Sequence, residues 1–215
     1  MKSCFQFPSK TTNEQRREIE PWDEIIYESE NFVAVPTRGA LIEGWLLIVP
    51  RAHHFCIGEF GPELFAEFQL FRREVQGAIE TTYGGSVAFE HGPASSQRPA
   101  GCGVDHAHLH IVPWHGSFAG AVREHGSPKF AWRSVTGCEA LRAFHDRGED
   151  YLYFEESDGN AFATSGPIPS QYFRRIVASE LGESELFDWK THSGINTVRA
   201  TLAELGTACR RAVTV

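Results

Sequence analysis

Apolar and polar positions divide the chain into short strand-like runs and a few longer amphipathic stretches. Residues 24–29 (EIIYES) and 31–36 (NFVAVP) read as two strands meeting at a turn. Residues 45–49 are apolar without a break and are closed by Pro50, which suits a strand buried within a sheet. The period then changes. Leu64, Phe68, Phe71, Val75 and Ile79 recur every three or four residues, while Arg72, Arg73, Glu74 and Glu80 occupy other faces. This predicts a long amphipathic helix, opened by Gly61-Pro62 and stopped by Gly84-Gly85. Residues 86–90 read as a fourth strand, 92–103 as a loop, and 106–112 as a fifth strand ended by Pro113.

Beyond this point the pattern is weaker. Residues 116–128 read as irregular, 139–146 as a short helix, and 151–155 and 161–164 as two strands. Helices are expected over 169–181 and near 196–205, and the polar stretch 11–20 fits either a short helix or a loop. The expected fold class is therefore α+β, with about five antiparallel strands and a long helix across one face. No Pro/Ser-rich linker interrupts the chain. Residues 1–115 are expected to form a compact unit, and 116–215 a C-terminal α/β extension packed on it.

Composition narrows the function classes. Of 215 residues, 41% are hydrophobic and 22% charged, an ordinary balance for a chain that buries a core. The formal net charge of -8 argues against a general nucleic-acid clamp, which needs a basic stripe, but leaves room for a small anionic ligand in a local pocket. The N-terminus shows no signal-peptide pattern, and the apolar run 45–49 is far too short to span a bilayer. A cytoplasmic protein with no membrane partner is the expectation. The five cysteines, Cys4, Cys56, Cys102, Cys138 and Cys209, are scattered without a CxxC pair and imply no disulfide framework.

The segment His106-Ala107-His108-Leu109-His110-Ile111-Val112 carries the candidate chemistry. Side chains alternate along a strand, so the three histidines share one face while Ala107, Leu109 and Ile111 point into a core. Three adjacent imidazoles contribute little to packing and cost desolvation, so they point to a site. Two chemistries fit. A metal could draw neutral imidazoles from the face, with Cys102 and Asp105 as nearby candidate ligands. Alternatively one imidazole, largely unprotonated near neutral pH, could act as a nucleophile while its neighbours hold the attacked anion.

The pattern His-apolar-His-apolar-His-apolar-apolar resembles the signature of the histidine triad family, and residues 106–112 match it in full. Upstream, residues 44–53 (GWLLIVPRAH) resemble the family's strand that ends in proline, with a histidine three residues on. The order of strands, long helix, strand and triad agrees over roughly residues 23–114.

The resemblance implies an enzyme acting on a nucleotide-type small molecule, such as a phosphoramidate or a dinucleoside polyphosphate, with no cofactor and no metal. It makes His108 the nucleophile on the α-phosphorus, forming a covalent nucleotidyl-histidine that water discharges. His110 would contact the phosphoryl oxygens, His106 would order the site, and His53 would complete the cluster. Histidine rather than glutamine at the third position favours hydrolysis over transfer to another acceptor. The alternatives are a nucleotidyltransferase or phosphorylase using the same intermediate, a nucleotide-binding regulator with little turnover, and a zinc enzyme using His106 and His108. Family members often pair as homodimers, an interface that residues 116–215 could cover or replace.

This chain also departs from the family. Many members carry an asparagine before the triad, and the loop here has none. Glu90, His91, Gln97 or the backbone at Gly101, Cys102 and Gly103 are the candidate substitutes, since glycines let backbone N–H groups approach a phosphate. Thr37 stands where an acidic residue often holds the ribose. Arg174 and Arg175, near the start of a predicted helix, are candidate phosphate contacts. Phe130, Trp132, Tyr151, Tyr153 and Phe154 suit either the core or a base-stacking wall.

Overall fold

The fold is that of a computed structural model, which describes residues 20–95 and 106–212, with side chains as far as residue 206. Among these residues are eight strands: β1 (Tyr27–Glu28), β2 (Phe32–Pro36), β3 (Leu46–Pro50), β4 (Ser86–Gly92), β5 (Leu109–Pro113), β6 (Arg133–Val135), β7 (Tyr151–Glu156) and β8 (Ala161–Ser165). Among the described residues, five α-helices accompany them: α1 (Pro62–Tyr83), α2 (Phe118–His125), α3 (Leu141–Asp146), α4 (Tyr172–Glu180) and α5 (Ile195–Ala212).

The strands make one antiparallel sheet in the order β1-β2-β3-β5-β4-β7-β8-β6. The sequence suggests about five strands, and the sheet has eight. The difference arises at β4, whose seven residues are all buried. An interior strand needs a hydrogen-bonding partner on each side. β5 supplies one, and β7 supplies the other through a register running from Val87↔Glu156 to Gly92↔Tyr151. The strands after residue 115 thus extend the first sheet.

Helix α1 forms where the apolar period places it. Pro62 sits in its first turn, and Phe68, Phe71, Val75 and Ile79 are buried. Gly84, at φ 93°, ends it in the left-handed conformation, its N–H donating to the Glu80 carbonyl. The buried stripe lies against one face of the sheet in a cluster with Phe32, Leu46, Ile48, Ala88, Leu109, Ile111, Tyr151 and Tyr153. The other face collects Trp45, Val87, Phe89, Val112, Leu152 and Phe154 under α2 and α4, which supply Phe118, Tyr172, Phe173, Ile176 and Val177. Helix α5 ties in at the β2–β3 connection, where Thr201 Oγ1 accepts the Gly44 N–H at 2.9 Å.

Local differences from the sequence reading have packing causes. Residues 118–125 are helical rather than irregular: the Ser117 side chain caps the helix by accepting from Gly120 N, and Phe118, Ala121 and Val122 are buried. Strand β5 begins at Leu109 rather than at residue 106, β1 is only two residues long, and α4 begins at Tyr172 rather than at 169. β6 was not anticipated; it pairs with β8 at the sheet edge.

Candidate active site

The site begins where two segments approach β5 and β3. Residues 106–108 precede β5 and are clipped to the chain that leaves β3. The Ala107 N–H donates to the His54 carbonyl at 2.7 Å, and His106 Nε2 lies 2.7 Å from the Pro50 carbonyl. His53 reaches the same place, its exposed ring 5.2 Å from that of His106. His108 turns back on this segment, with Nδ1 2.7 Å from the His106 carbonyl. Its ring is 5.0 Å from that of His110, which stands on β5 itself. All three triad histidines are buried. Ala107, Leu109 and Ile111 pack into the α1 cluster, so the alternation of faces carries through even though His106 and His108 lie ahead of the strand.

The partners set the tautomers. A carbonyl oxygen only accepts, so His108 carries its proton on Nδ1 and its lone pair on Nε2. His106 by the same argument is protonated on Nε2. His110 is the reverse of His108: the Trp45 indole N–H donates to its Nδ1 at 2.9 Å, so its hydrogen sits on Nε2. That Nε2 is buried with no hydrogen-bond partner among the described residues. Burial is the main force lowering the pKa of all three imidazoles. His110 falls well below the ordinary value, because His108, His91 and Arg174 add to the burial.

The remaining candidates divide between the faces of the sheet. His91 joins the histidine cluster. It is buried between Phe89 and Phe173, its Nε2 accepts the Phe173 N–H at 3.4 Å, and burial with the nearby His108 and Arg174 holds its pKa at about 3. Arg174 also comes to this side. Its guanidinium lies 4.9 Å over the Trp45 ring, bonded to the Phe187 carbonyl at 2.8 Å and to the Gly39 carbonyl. Gly39 has φ +75°, and a Cβ there would stand 2.8 Å from Arg174 Nη2, so this approach requires glycine. Thr37 is buried at the end of β2, its N–H on the Trp45 carbonyl and its hydroxyl on the Arg38 carbonyl.

Glu90 does not reach the cluster. It points to the α1 face, accepting from Ile57 N at 2.8 Å and from the Tyr151 hydroxyl at 2.6 Å. Arg175 is exposed, its guanidinium 3.6 Å over the Phe187 ring. Gln97, Gly101, Cys102 and Gly103 lie outside the described residues.

Trp45, Phe89 and Phe173 are the site residues that sequence reasoning did not single out. Phe89 stacks on His110 with centroids 4.6 Å apart, and Phe173 leans on Phe89 at 4.8 Å. Their signal was register. Phe89 pairs directly with His110, and Trp45 is two residues from Leu47, which also pairs with His110. In the sequence the three read only as positions in two strands and a helix.

Of the five aromatics weighed as a stacking wall, Tyr151 and Tyr153 are core residues on the α1 side. Phe130, Trp132 and Phe154, with Phe162, line an apolar groove of about 440 Å³ beside α2, with Arg123 at its edge. Among the described residues, the side chains close enough to share a metal ion are Glu124, His125 and Glu180, all exposed and distinct from the triad. No helix is long and apolar enough to cross a membrane, among the described residues.

No protein-family model matches this chain. Over 195 residues it is 24% identical to the zinc finger CCCH domain-containing protein 64 of Arabidopsis thaliana, an alignment covering 84% of this chain. The chain spans only 31% of that relative's length. It is similar to solved structures of histidine triad proteins. One is a hypothetical histidine triad nucleotide-binding protein from Sulfolobus tokodaii, at 24% identity and TM-score 0.35, covering 43% of this chain and 62% of that one. Another similar structure is the yeast Ap4A phosphorylase Apa2 in complex with Ap4A, at 11% identity and TM-score 0.39, covering 82% of this chain and 74% of that one.

Proposed function

We propose that this chain is a hydrolase that cleaves a nucleotide conjugate, of phosphoramidate or dinucleoside polyphosphate type, at the α-phosphate through a nucleotidyl-histidine on His108. The observation that carries the reading is the hydrogen bond of His108 Nδ1 to the His106 carbonyl at 2.7 Å. It leaves the lone pair on Nε2, the atom that attacks, and it gains strength as the ring becomes positive on bonding phosphorus. The lowered pKa of His108, from burial, keeps the nucleophile unprotonated at neutral pH.

In the first step the His108 Nε2 lone pair forms an N–P bond while the bond from phosphorus to the leaving group breaks. The leaving group departs with that electron pair and takes a proton from solvent. In the second step a water oxygen attacks phosphorus and gives a proton to solvent, the N–P bond breaks with its electron pair returning to Nε2, and the nucleoside monophosphate leaves with the neutral imidazole restored. His110 Nε2–H donates to a phosphoryl oxygen in both steps. His106 braces the segment that carries His108, and His53 borders the open side.

Residues 1–115 supply this machinery, and 116–215 are the extension that closes it with Phe173 and the positive field of Arg174. Thr37 and His91 line the substrate side, and Gln97, Gly101, Cys102 and Gly103 are the candidate phosphate contacts by sequence alone. Glu90 acts from the opposite face, by holding Ile57 and Tyr151, and Arg175 makes its contact with Phe187.

The test is intact-protein mass spectrometry after brief incubation with adenosine and guanosine phosphoramidates and dinucleoside polyphosphates, for the wild type and His108→Gly. A nucleoside monophosphate adduct on the wild type alone is the expected result. Product release that persists in His108→Gly, with no adduct, overturns the covalent mechanism. An adduct that discharges only to an added acceptor, and not to water, assigns the transferase reading instead.

A further inference from the structure

Resting on that reading of His110 as phosphoryl donor, we infer that Trp45 is the positioning residue that fixes His110 as a neutral imidazole bearing its hydrogen on Nε2. Trp45 is fully buried immediately before β3, and its indole Nε1 lies 2.9 Å from His110 Nδ1. An indole N–H can only donate, so this contact is compatible with a lone pair on Nδ1 and with nothing else. It excludes both the Nδ1–H tautomer and the imidazolium, each of which would set two hydrogens against one another. The hydrogen of His110 is thereby placed on Nε2, which is buried and has no hydrogen-bond partner among the described residues. A buried donor left unmet is costly, and a phosphoryl oxygen of the substrate is the group that meets it.

The indole is itself held from several sides. Phe89 meets it edge-on at 5.9 Å, and the Arg174 guanidinium covers it at 4.9 Å while bonding the Gly39 and Phe187 carbonyls. The orientation of His110 therefore depends on a tryptophan just before β3 clamped by an arginine from α4. The triad motif encodes neither partner, and this relay joins the two parts of the chain at the reacting atoms.

Two variants test the inference. Trp45→Phe removes the N–H and part of the ring. Site-specific replacement of Trp45 by 3-benzothienyl-alanine keeps the bicyclic shape and removes only the N–H. The first readout is 15N NMR of the His110 ring in the substrate-free protein from pH 5 to 8. The wild type is expected to show one neutral tautomer with Nε2–H throughout. Both variants are expected to shift the Nδ1 resonance and bring the two ring nitrogens closer together, as the Nδ1–H form or the imidazolium becomes populated. The second readout is the rate of His108 adduct formation, expected to fall by about 10- to 100-fold in both variants with KM little changed. The benzothienyl variant guards against a Trp45→Phe chain that fails to fold. Unchanged His110 nitrogen shifts in the benzothienyl variant overturn the inference. A wild type that forms no adduct overturns the proposed function alone, because the NMR readout needs no turnover.

Discussion

Glu90 and the histidines of the cluster titrate in opposite directions, and their balance sets a pH optimum for stability. Glu90 is raised to about 8 by burial, so between its ordinary value and pH 8 the folded state binds a proton that the unfolded chain does not. Stability contributed there is present at low pH and declines as pH rises through that window, by at most about 1.4 kcal/mol per pH unit. His91, His106, His108 and His110 are all lowered by burial, His91 to about 3. Their contribution is present above about pH 6.5, the unfolded value, and is lost as pH falls toward the folded values. Urea midpoints measured from pH 4 to 9 are therefore expected to peak near pH 6.5–7. Glu90→Gln should flatten the alkaline side and steepen the rise between about pH 4.5 and 6.5, where Glu90 opposes the histidines. For activity, the lowered pKa of His108 places the acid limb of adduct formation below pH 6.5, in single-turnover rates read against pH. The row of three histidines was legible because imidazoles at alternate positions have no ordinary packing role, whereas His53 was picked out only by the family resemblance of residues 44–53. Trp45 was not, because an indole in an apolar run looks like core until its N–H is seen against His110.

Helix α1 was legible almost to the residue, since its apolar stripe, opening Pro62 and closing Gly84 agree with one another. Its tie to the later chain was not. Arg72, on the same helix, is buried and pairs with both carboxylate oxygens of Glu155 on β7, at 3.0 and 2.7 Å. It also lies 3.1 Å from Cys138 Sγ. Arg72→Met leaves the carboxylate without its partner and is expected to cost about 3–5 kcal/mol, read as a lower Tm. Arg72→Met combined with Glu155→Leu should recover much of that loss, because both charges are then gone. Helix α2 escaped the sequence reading for the opposite reason. It is eight residues long, contains a glycine, and is stabilised by burying Phe118, Ala121 and Val122 beneath α4 rather than by its own propensity.

Across the whole molecule, the sheet decides how the two parts of the chain depend on each other. A chain ending after residue 115 would expose one edge of β4 and uncover Val87 and Phe89, which Phe118, Phe154 and Phe173 now bury. Such a truncation is expected to lose cooperative thermal unfolding, followed by circular dichroism, whereas the full chain should melt in one transition. The sequence by itself determined the α+β class, the first five strands, the long helix and the row of histidines. Those features are written in local periodicity and in residue types whose chemistry has few other uses. The tertiary structure alone decided that β7 completes β4, that Glu90 faces away from the histidines, and that Trp45 and Arg174 stand behind His110. Each of these depends on register between segments distant in the chain. A shift of one residue in register turns every side chain to the opposite face, and pairing across such separations leaves no periodic trace in the sequence.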